Sequence, residues 1–314
     1  MKFSIVLPAY NVGRYIERCL LSCIYQTYDE IEIIVVDDCG QDDSIDQVKR
    51  IAQIDARVKV VRNTKNMGTY HARRMGAEFA AGEYILFLDP DDELKRDTLE
   101  LISNKLDDKK DIVVYGVEVL PEKRFYQNRT GLPKLISEHL DSKNIKKIFS
   151  AKGFNLGTAG KVFNRKVLLT AYRNLNVPES LRLVFAEDQL LFAEILNVSS
   201  NISLVNERLY IYHTNIGSVT QVGTDEALKY MKEQVEICAS LILDRANSCR
   251  GVAHIFMPVA NRLMVDARKI DIRLSDSFFY NLRSYFFIIR KSKKIKYLLR
   301  IMVYIISVKK IKLV

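Results

Sequence analysis

Three short acidic clusters hold most of the chemistry open to this chain: Asp37-Asp38, Asp89-Pro90-Asp91-Asp92 and Glu187-Asp188. Carboxylates crowded together repel and raise one another's pKa unless a cation neutralises them. Hard oxygen ligands of this kind suit Mg2+ or Mn2+, which commonly take one or two protein carboxylates and complete their shell with substrate phosphates. Pro90 fixes φ and removes a backbone donor, favouring a tight turn that would aim Asp89 and Asp91 at one point. The plain alternative is a cap on a helix starting near Leu94, since Asp is a favoured capping residue. Glu187-Asp188 falls at the start of a predicted helix, where the macrodipole favours an anion. It reads either as a general base with a neighbouring acid or as an ordinary acidic first turn. His213 ends a predicted strand, where it would approach a metal or a diphosphate or serve structure alone. His71, His139 and His254 show no metal-ligand spacing and read as structural or surface residues.

These groups form a site only if one edge of a fold collects them. Residues 3–7, 31–36, 58–61, 84–88 and 112–119 are short apolar or β-branched runs that predict buried strands. Between them, residues 15–26, 44–54, 68–81 and 95–106 carry helical periodicity, with Ser44 as an N-cap and Gly82 just past a helix end. Alternating strands and helices predict an α/β fold with a mainly parallel, doubly wound sheet. In such sheets ligands bind beyond the carboxyl ends of the strands. The first four predicted strands lead into Pro8-Ala9-Tyr10-Asn11, Asp37-Asp38-Cys39-Gly40, the group Asn63, Lys65, Asn66 and Gly68, and Asp89-Pro90-Asp91-Asp92. Four loops converging on one rim make a site of what would otherwise be scattered surface acids.

Residues 121–156 are polar and broken by Pro121, Gly131 and Pro133, which predicts loops and one helix. A second α/β stretch follows, with strands at 161–163, 202–205 and 208–213, helices from Arg165 and over 187–197, and the segment 183–186 between them. After Thr224 the pattern is helical to the end. The expected organisation is one α/β domain over 1–222, in halves 1–120 and 121–222, and a helical basic region over 223–314.

The chain carries a net charge of +10, and the ten basic residues after Ser277, with no acidic one among them, account for all of it. Basic helices mixed with Phe278, Phe279, Phe286, Leu298 and Leu299 lie on anionic membrane surfaces. The alternative is a packing or homodimerisation element; nothing resembles a nucleic-acid-binding module. No uninterrupted apolar run reaches the roughly 20 residues needed to span a bilayer. Residues 1–8 read as a first strand and not as a signal peptide. The five cysteines, odd in number and without a CxxC pair, suit reduced thiols packed as small hydrophobes. The expected location is cytoplasmic, peripheral on the inner face of the membrane.

The stretch from Phe3 to Tyr10-Asn11, Val35-Val36-Asp37-Asp38-Cys39-Gly40, Asn66-Met67-Gly68 through Ala72-Arg73 to Gly76, and Gly82-Glu83-Tyr84 through Asp92 resemble, in order and spacing, the motifs of family 2 glycosyltransferases with the Rossmann-like GT-A fold. The resemblance is dense over 3–105 and looser to about 220, and within the family it leans towards bacterial lipooligosaccharide β-1,3-galactosyltransferases. It implies that Pro8 and Tyr10 line a nucleobase pocket and that Asp38 accepts a hydrogen bond from uracil. It further implies that Asn66 and Arg73 belong to the nucleotide site, with Arg73 near the base and diphosphate. Asp91 matches the direct metal ligand and Asp89 the ribose contact of a DxD motif. Asp188 matches the catalytic base, Glu187 lies beside it to orient it or hold acceptor, and Lys161 matches a segment on the acceptor side.

The expected activity is therefore inverting transfer of a hexose, galactose or glucose/HexNAc, from a UDP-sugar to a glycan or glycolipid acceptor, with Mn2+ or Mg2+. The rival from another class is a non-catalytic nucleotide-sugar-binding or membrane-associated scaffold. A phospho-receiver is disfavoured because its acid pair should follow the first strand. An Asp-rich isoprenoid synthase is disfavoured because it needs an all-helical fold.

Overall fold

A run such as Ile31–Asp37, apolar on both faces of the pleat, is stable where both faces are covered, each fully buried Val, Leu or Ile contributing about 1.5–3 kcal/mol. It occupies such a place in the computed structural model, which describes residues 1–106, 110–121, 132–135, 137, 139–151, 154–214, 224–249, 251–292 and 296–306. The chain divides into two compact units, Met1–Asn215 and Ile216–Val314.

The first unit is built on a sheet of β1 (Phe3–Ala9), β2 (Ile31–Asp37), β3 (Val58–Arg62), β4 (Tyr84–Phe87), β5 (Glu93–Leu94), β6 (Ile112–Leu120), β7 (Lys161–Asn164) and β8 (Ile202–His213). Their order is β3-β2-β1-β4-β7-β6-β8-β5. The first four positions are parallel, with register Phe3↔Ile31 and Phe3↔Tyr84. Beyond them β7 runs antiparallel to both β4 and β6, while β6 and β8 are parallel. The sheet is thus doubly wound and parallel in its first half and mixed in its second. Because β7 is reversed, its first residues lie beside the carboxyl end of β4, with Val162 opposite Leu86.

Helices α1 (Ile16–Ile24), α2 (Ser44–Ala52), α3 (Thr69–Phe79), α4 (Thr98–Ser103), α5 (Ser142–Ser150), α6 (Arg165–Leu175) and α7 (Glu187–Val198) connect and cover the strands. Ile16, Cys19, Leu20 and Cys23 of α1 share one core with Phe3, Ile5 and Leu7 of β1 and Ile33 and Val35 of β2. All five cysteines are free thiols, and Cys19, Cys23 and Cys238 are buried.

Local expectations fail where a distant partner intervenes. The helix expected over 95–106 starts only at Thr98, because Glu93 and Leu94 pair with Ile211 and Tyr210 of β8 as the edge strand β5. Asp92 therefore caps no helix. The strands expected at 202–205 and 208–213 are one strand, with exposed Asn206 and Glu207 at an irregular register opposite Gly116. A Cβ at Gly116 would lie 2.9 Å from the Glu207 carbonyl oxygen, so the irregularity needs glycine there. Asp43 and not Ser44 is the N-cap of α2. Gly82 does not end α3, whose C-cap is Ala80. Instead the Gly82 N–H donates to Ser4 Oγ (2.9 Å) and Glu32 Oε1 (3.0 Å).

Glu32 is the polar centre of this half. Its buried carboxylate also accepts from Ser4 Oγ and the Ala81 N–H, both at 2.7 Å, and pairs with Lys59 at 2.7 Å. Burial opposes its charge, but Lys59, Ser4 and Ala81 together outweigh burial and hold its pKa at about 2 against an ordinary 4.5. A carboxylate with a depressed folded pKa adds stability above its unfolded pKa and loses it as pH falls through the folded one.

The second unit is helical: α8 (Asp225–Ser248), α9 (Ala253–Leu274), α10 (Phe278–Ser292) and α11 (Lys296–Ile306). Val265, Ile272, Tyr285, Ile288, Tyr297, Ile301 and Tyr304 form its buried cluster. Glu32→Gln is expected to cost on the order of 2–3 kcal/mol at neutral pH. Urea midpoints of the variant and the parent should converge as pH falls from 4.5 towards about 2.

Candidate functional site

At the rim where β1 and β2 end, backbone geometry is unusual. Asn11 and Cys39 take positive φ of 53° and 62° although neither is glycine. Asn11 Oδ1 accepts the Gln41 N–H at 2.7 Å, and a Cβ at Gly40 would lie 2.8 Å from the Asn11 nitrogen. The two loops are thereby closed against each other. Pro8 lies within β1, and Tyr10 stands 43% exposed beyond it, available to a planar ligand.

Asp38 is the residue expected to contact uracil. Its buried carboxylate accepts from Asn63 Nδ2 (2.7 Å), the Met67 N–H (2.8 Å) and the Gly68 N–H (2.9 Å). Three internal donors and 3% exposure make it a support of the loop into α3. Asn66 Oδ1 accepts from Arg182 Nε at 2.9 Å, and the Leu183 carbonyl accepts the Tyr70 N–H at 3.2 Å. Gly68, at φ 84°, makes room for that carbonyl, 2.6 Å from where a Cβ would sit.

The 89–92 turn sorts its acids by environment. Asp92 is buried, accepting from Tyr210 Oη (2.6 Å) and the His213 N–H (2.8 Å). Burial, then the charges of Asp89 and Asp91, push its carboxyl well above the ordinary value. Arg18 donates to the Asp91 carbonyl at 2.5 Å and pairs with Glu93 at 3.1 Å. The His213 ring, expected as a metal ligand, sits instead with Nε2 2.6 Å from Glu93 Oε1. The turn is thus anchored through Asp92, leaving Asp89 and Asp91 nearer the surface.

Arg73 joins the two ends of the site. From α3 its Nη2 donates to Asp89 Oδ1 and its Nη1 to Glu187 Oε1, both at 2.7 Å. Burial disfavours its charge, but Asp89, Glu187 and Asp188 outweigh that and hold its pKa above the usual arginine value. Its Nε–H is buried without a partner. Glu187 is raised by burial and by the neighbouring Asp188 charge, against the pull of Arg73. Asp188 is likewise raised by burial, with Arg73, the Gln189 N–H and Lys161 opposing. Ala186, just before this pair, has φ 64°, a conformation costing about 1–2 kcal/mol outside glycine.

Lys161 matched a family segment on the acceptor side, with a solvated lysine as the plain alternative. Its side chain is 1% exposed, which excludes the solvated lysine. Reasoning from sequence also missed Gly157, which packs on the Asp188 carboxylate, and Tyr210, Arg18 and Arg182, which hold the loops; only a fold places these beside the acids. His71 donates from Nε2 to the Leu181 carbonyl (3.1 Å), and His254 Nδ1 lies 2.9 Å from the Gly251 carbonyl. His139 bridges to Asn201. An open cavity of about 510 Å3 beside α1, lined by Arg18, Tyr25, Glu93 and Arg96 among others, includes none of the expected site residues.

Among the described residues, no group of three or more His, Cys, Asp or Glu is arranged to hold a metal alone. The donor set fits an ion whose shell is completed by substrate: hard carboxylate oxygens of Asp89 and Asp91 on one tight turn, with Asp89 38% exposed at its side chain.

The sequence profile of Glycosyl transferase family 2 matches residues 4–169, and the chain belongs to that family. It is 27% identical over 249 residues to glycosyltransferase GlyG of Streptococcus pneumoniae serotype 4, covering 77% of this chain and 79% of that protein. The chain spans only 38% to 39% of two other curated relatives. The fold matches S. aureus TarS 1–349, solved in complex with UDP-GlcNAc, with a TM-score of 0.65, 20% identity, and coverage of 98% of this chain and 92% of that one. It also matches mannosyltransferase PcManGT from Pyrobaculum calidifontis, solved with GDP-Man and Mn2+, with a TM-score of 0.60, 16% identity, and coverage of 98% and 81%. The architecture is the GT-A arrangement expected from the sequence, and the protein is a glycosyltransferase.

Removing one partner from a buried ion group leaves the others uncompensated, typically at 3–5 kcal/mol. Arg73→Met is expected to lower stability by about that amount at neutral pH. The loss should shrink at acid pH, where protonation relieves Glu187, whose pKa burial raises; urea unfolding at two pH values checks both.

Proposed function

We propose that this glycosyltransferase moves a hexose from a UDP-sugar to a glycan acceptor with inversion, galactose being the first donor to try and glucose or HexNAc the next. The observation that carries the reading is Arg73, whose guanidinium links Asp89, at the proposed nucleotide end, to Glu187, beside the proposed base. The UDP-GlcNAc seen with TarS favours a UDP-sugar donor. Pro8 and exposed Tyr10 would flank the base, with Asp38 and Asn66 shaping the loops around it. Asp89 would contact the ribose. A divalent ion, Mn2+ or Mg2+, held by Asp91 and Asp89 with diphosphate oxygens, would neutralise the charge that gathers on departing UDP. The Mn2+ in PcManGT favours the former.

Asp188 would accept the proton of the acceptor hydroxyl as that oxygen attacks the anomeric carbon from the face opposite UDP. Glu187, fixed by Arg73, would orient Asp188 or the acceptor. A single displacement of this kind needs no enzyme nucleophile and turns an α-linked donor into a β-linked product.

The acceptor is proposed to be lipid-linked at the cytoplasmic face. Among the described residues no helix is long and apolar enough to cross a membrane. On α10 and α11, however, Phe279, Phe286, Leu298, Leu299, Met302 and Ile305 are exposed, on helices that also carry Arg283, Arg290, Lys296 and Arg300. Apolar side chains among cations suit an anionic bilayer, each cation near the surface contributing about 1 kcal/mol.

Loss of a general base typically costs 10²–10⁴ in rate. Asp188→Asn is expected to lower UDP-sugar turnover with Mn2+ by about that factor while calorimetric UDP binding persists. The parent should show an acid limb centred above 3.8, the ordinary Asp value, because Asp188 must be ionised. Near-normal turnover in the variant would sink the base assignment, and UDP binding with no turnover of any UDP-sugar in the parent would favour the scaffold reading. The full chain should float with phosphatidylglycerol vesicles, not with phosphatidylcholine alone, and release at high salt. A salt-independent dimer in sedimentation, with no flotation, would assign the face to self-association.

A further inference from the structure

A lysine that is buried without an acid beside it needs a reason, since an apolar side chain would fill the same space at lower cost. Lys161 is such a lysine. Its Nζ donates to the Asn155 carbonyl (2.8 Å) and the Ala159 carbonyl (3.3 Å). It lies 5.0 Å and 4.8 Å from the ring centroids of Phe154 and Phe192. Among the described residues no carboxylate is within ion-pair distance of it. Burial draws its pKa down to about 7, and the charge of Asp188 works the other way.

The ammonium holds both ends of a short loop, and the middle of that loop meets the proposed base. The Gly157 N–H is turned onto Asn155 Oδ1 at 2.8 Å. A Cβ at Gly157 would lie 2.1 Å from Asp188 Oδ2, so only a glycine backbone can pack there. Phe192 is four residues after Asp188 on α7, on the same helical face, so the ring touching the ammonium belongs to the strip that carries the base.

We propose that Lys161 is a positioning residue for Asp188: it ties the loop 155–159 shut so that Gly157 seats the Asp188 carboxylate. The proposal rests on the reading of Asp188 as the base. The charged groups acting on Asp188 are Glu187 of its own helix, Arg73 of α3, Asp89 of the turn after β4, and Lys161 of β7. Arg73 is tied to Asp89 and Glu187, whereas Lys161 has no acidic partner of its own.

The test is a carboxyl 13C titration of the full chain labelled at aspartate, with the Asp188 signal assigned by its loss in Asp188→Asn. Lys161→Met should move the Asp188 midpoint to higher pH, and Lys161→Arg should restore most of it. Gly157→Ala, with the lysine intact, should also displace the Asp188 signal and its midpoint. A Lys161→Met protein that melts cooperatively and shows an unmoved Asp188 titration overturns the proposal. Should that variant not fold, Gly157→Ala decides, an unmoved Asp188 signal being the overturning result. The titration needs no substrate, so it stands apart from the glycosyl-transfer reading, which fails separately if Asp188→Asn keeps full turnover.

Discussion

Arg73 is a charge that cannot be removed by titration, and it lies where water hardly reaches. A buried lysine or carboxyl can neutralise itself, but a guanidinium stays ionised in proteins. Carboxylates must therefore come to it, and the two that do arrive from the turn after β4 and from the first turn of α7, about a hundred residues apart. The planar fork sets both positions at once, because each terminal nitrogen addresses a separate acid. Burying such a group costs several kcal/mol per ion before the attractions are counted, so the arrangement is poor evidence of stability gained. It is better understood as a constraint on geometry, holding the 89–92 turn and the Glu187-Asp188 pair at one separation.

The backbone near this constraint carries strain and close approaches. Asn11, Cys39 and Ala186 have positive φ, and Gly40, Gly68 and Gly157 each stand where a Cβ would meet backbone or a carboxylate within 3 Å. All lie in segments joined to the rim. Strain of about 1–3 kcal/mol per residue persists only where surrounding contacts over-determine the conformation. Here those contacts are the hydrogen bonds of Asp38, Asn66 and Arg182 and the cation of Lys161.

How far the sequence could be read follows from which interactions are local. The first four strands were legible because a strand buried on both faces must be apolar at every position, as Ile31–Asp37 nearly is. The acids were legible as a group because each follows such a strand. Their division of labour was not: Asp91 and Asp92 are adjacent and chemically identical, and only Tyr210 and His213, more than a hundred residues later, bury one of them. The same holds for α4, whose first turn yields to a pairing with β8. Lys161 defeated reading for a different reason. Nothing in Gly160-Lys161-Val162-Phe163 marks its lysine as buried, because the aromatic walls come from Phe154 and from α7.

Charge balance at the rim connects these features to the proposed chemistry. Asp89, Asp91, Glu187 and Asp188 gather there, and Arg73 and the buried Lys161 are both already committed to protein partners. A nucleoside diphosphate would bring further negative charge to the same place. Asp92 is held in the interior by Tyr210 and the His213 N–H, and Asp38 by three internal donors. What remains near the surface is the pair Asp89 and Asp91, too few for a protein-only metal cage and the right number for an ion shared with phosphate. The proposed base sits in the same balance: burial and the charge of Asp89 work against its anion, and Arg73, the Gln189 N–H and Lys161 work for it.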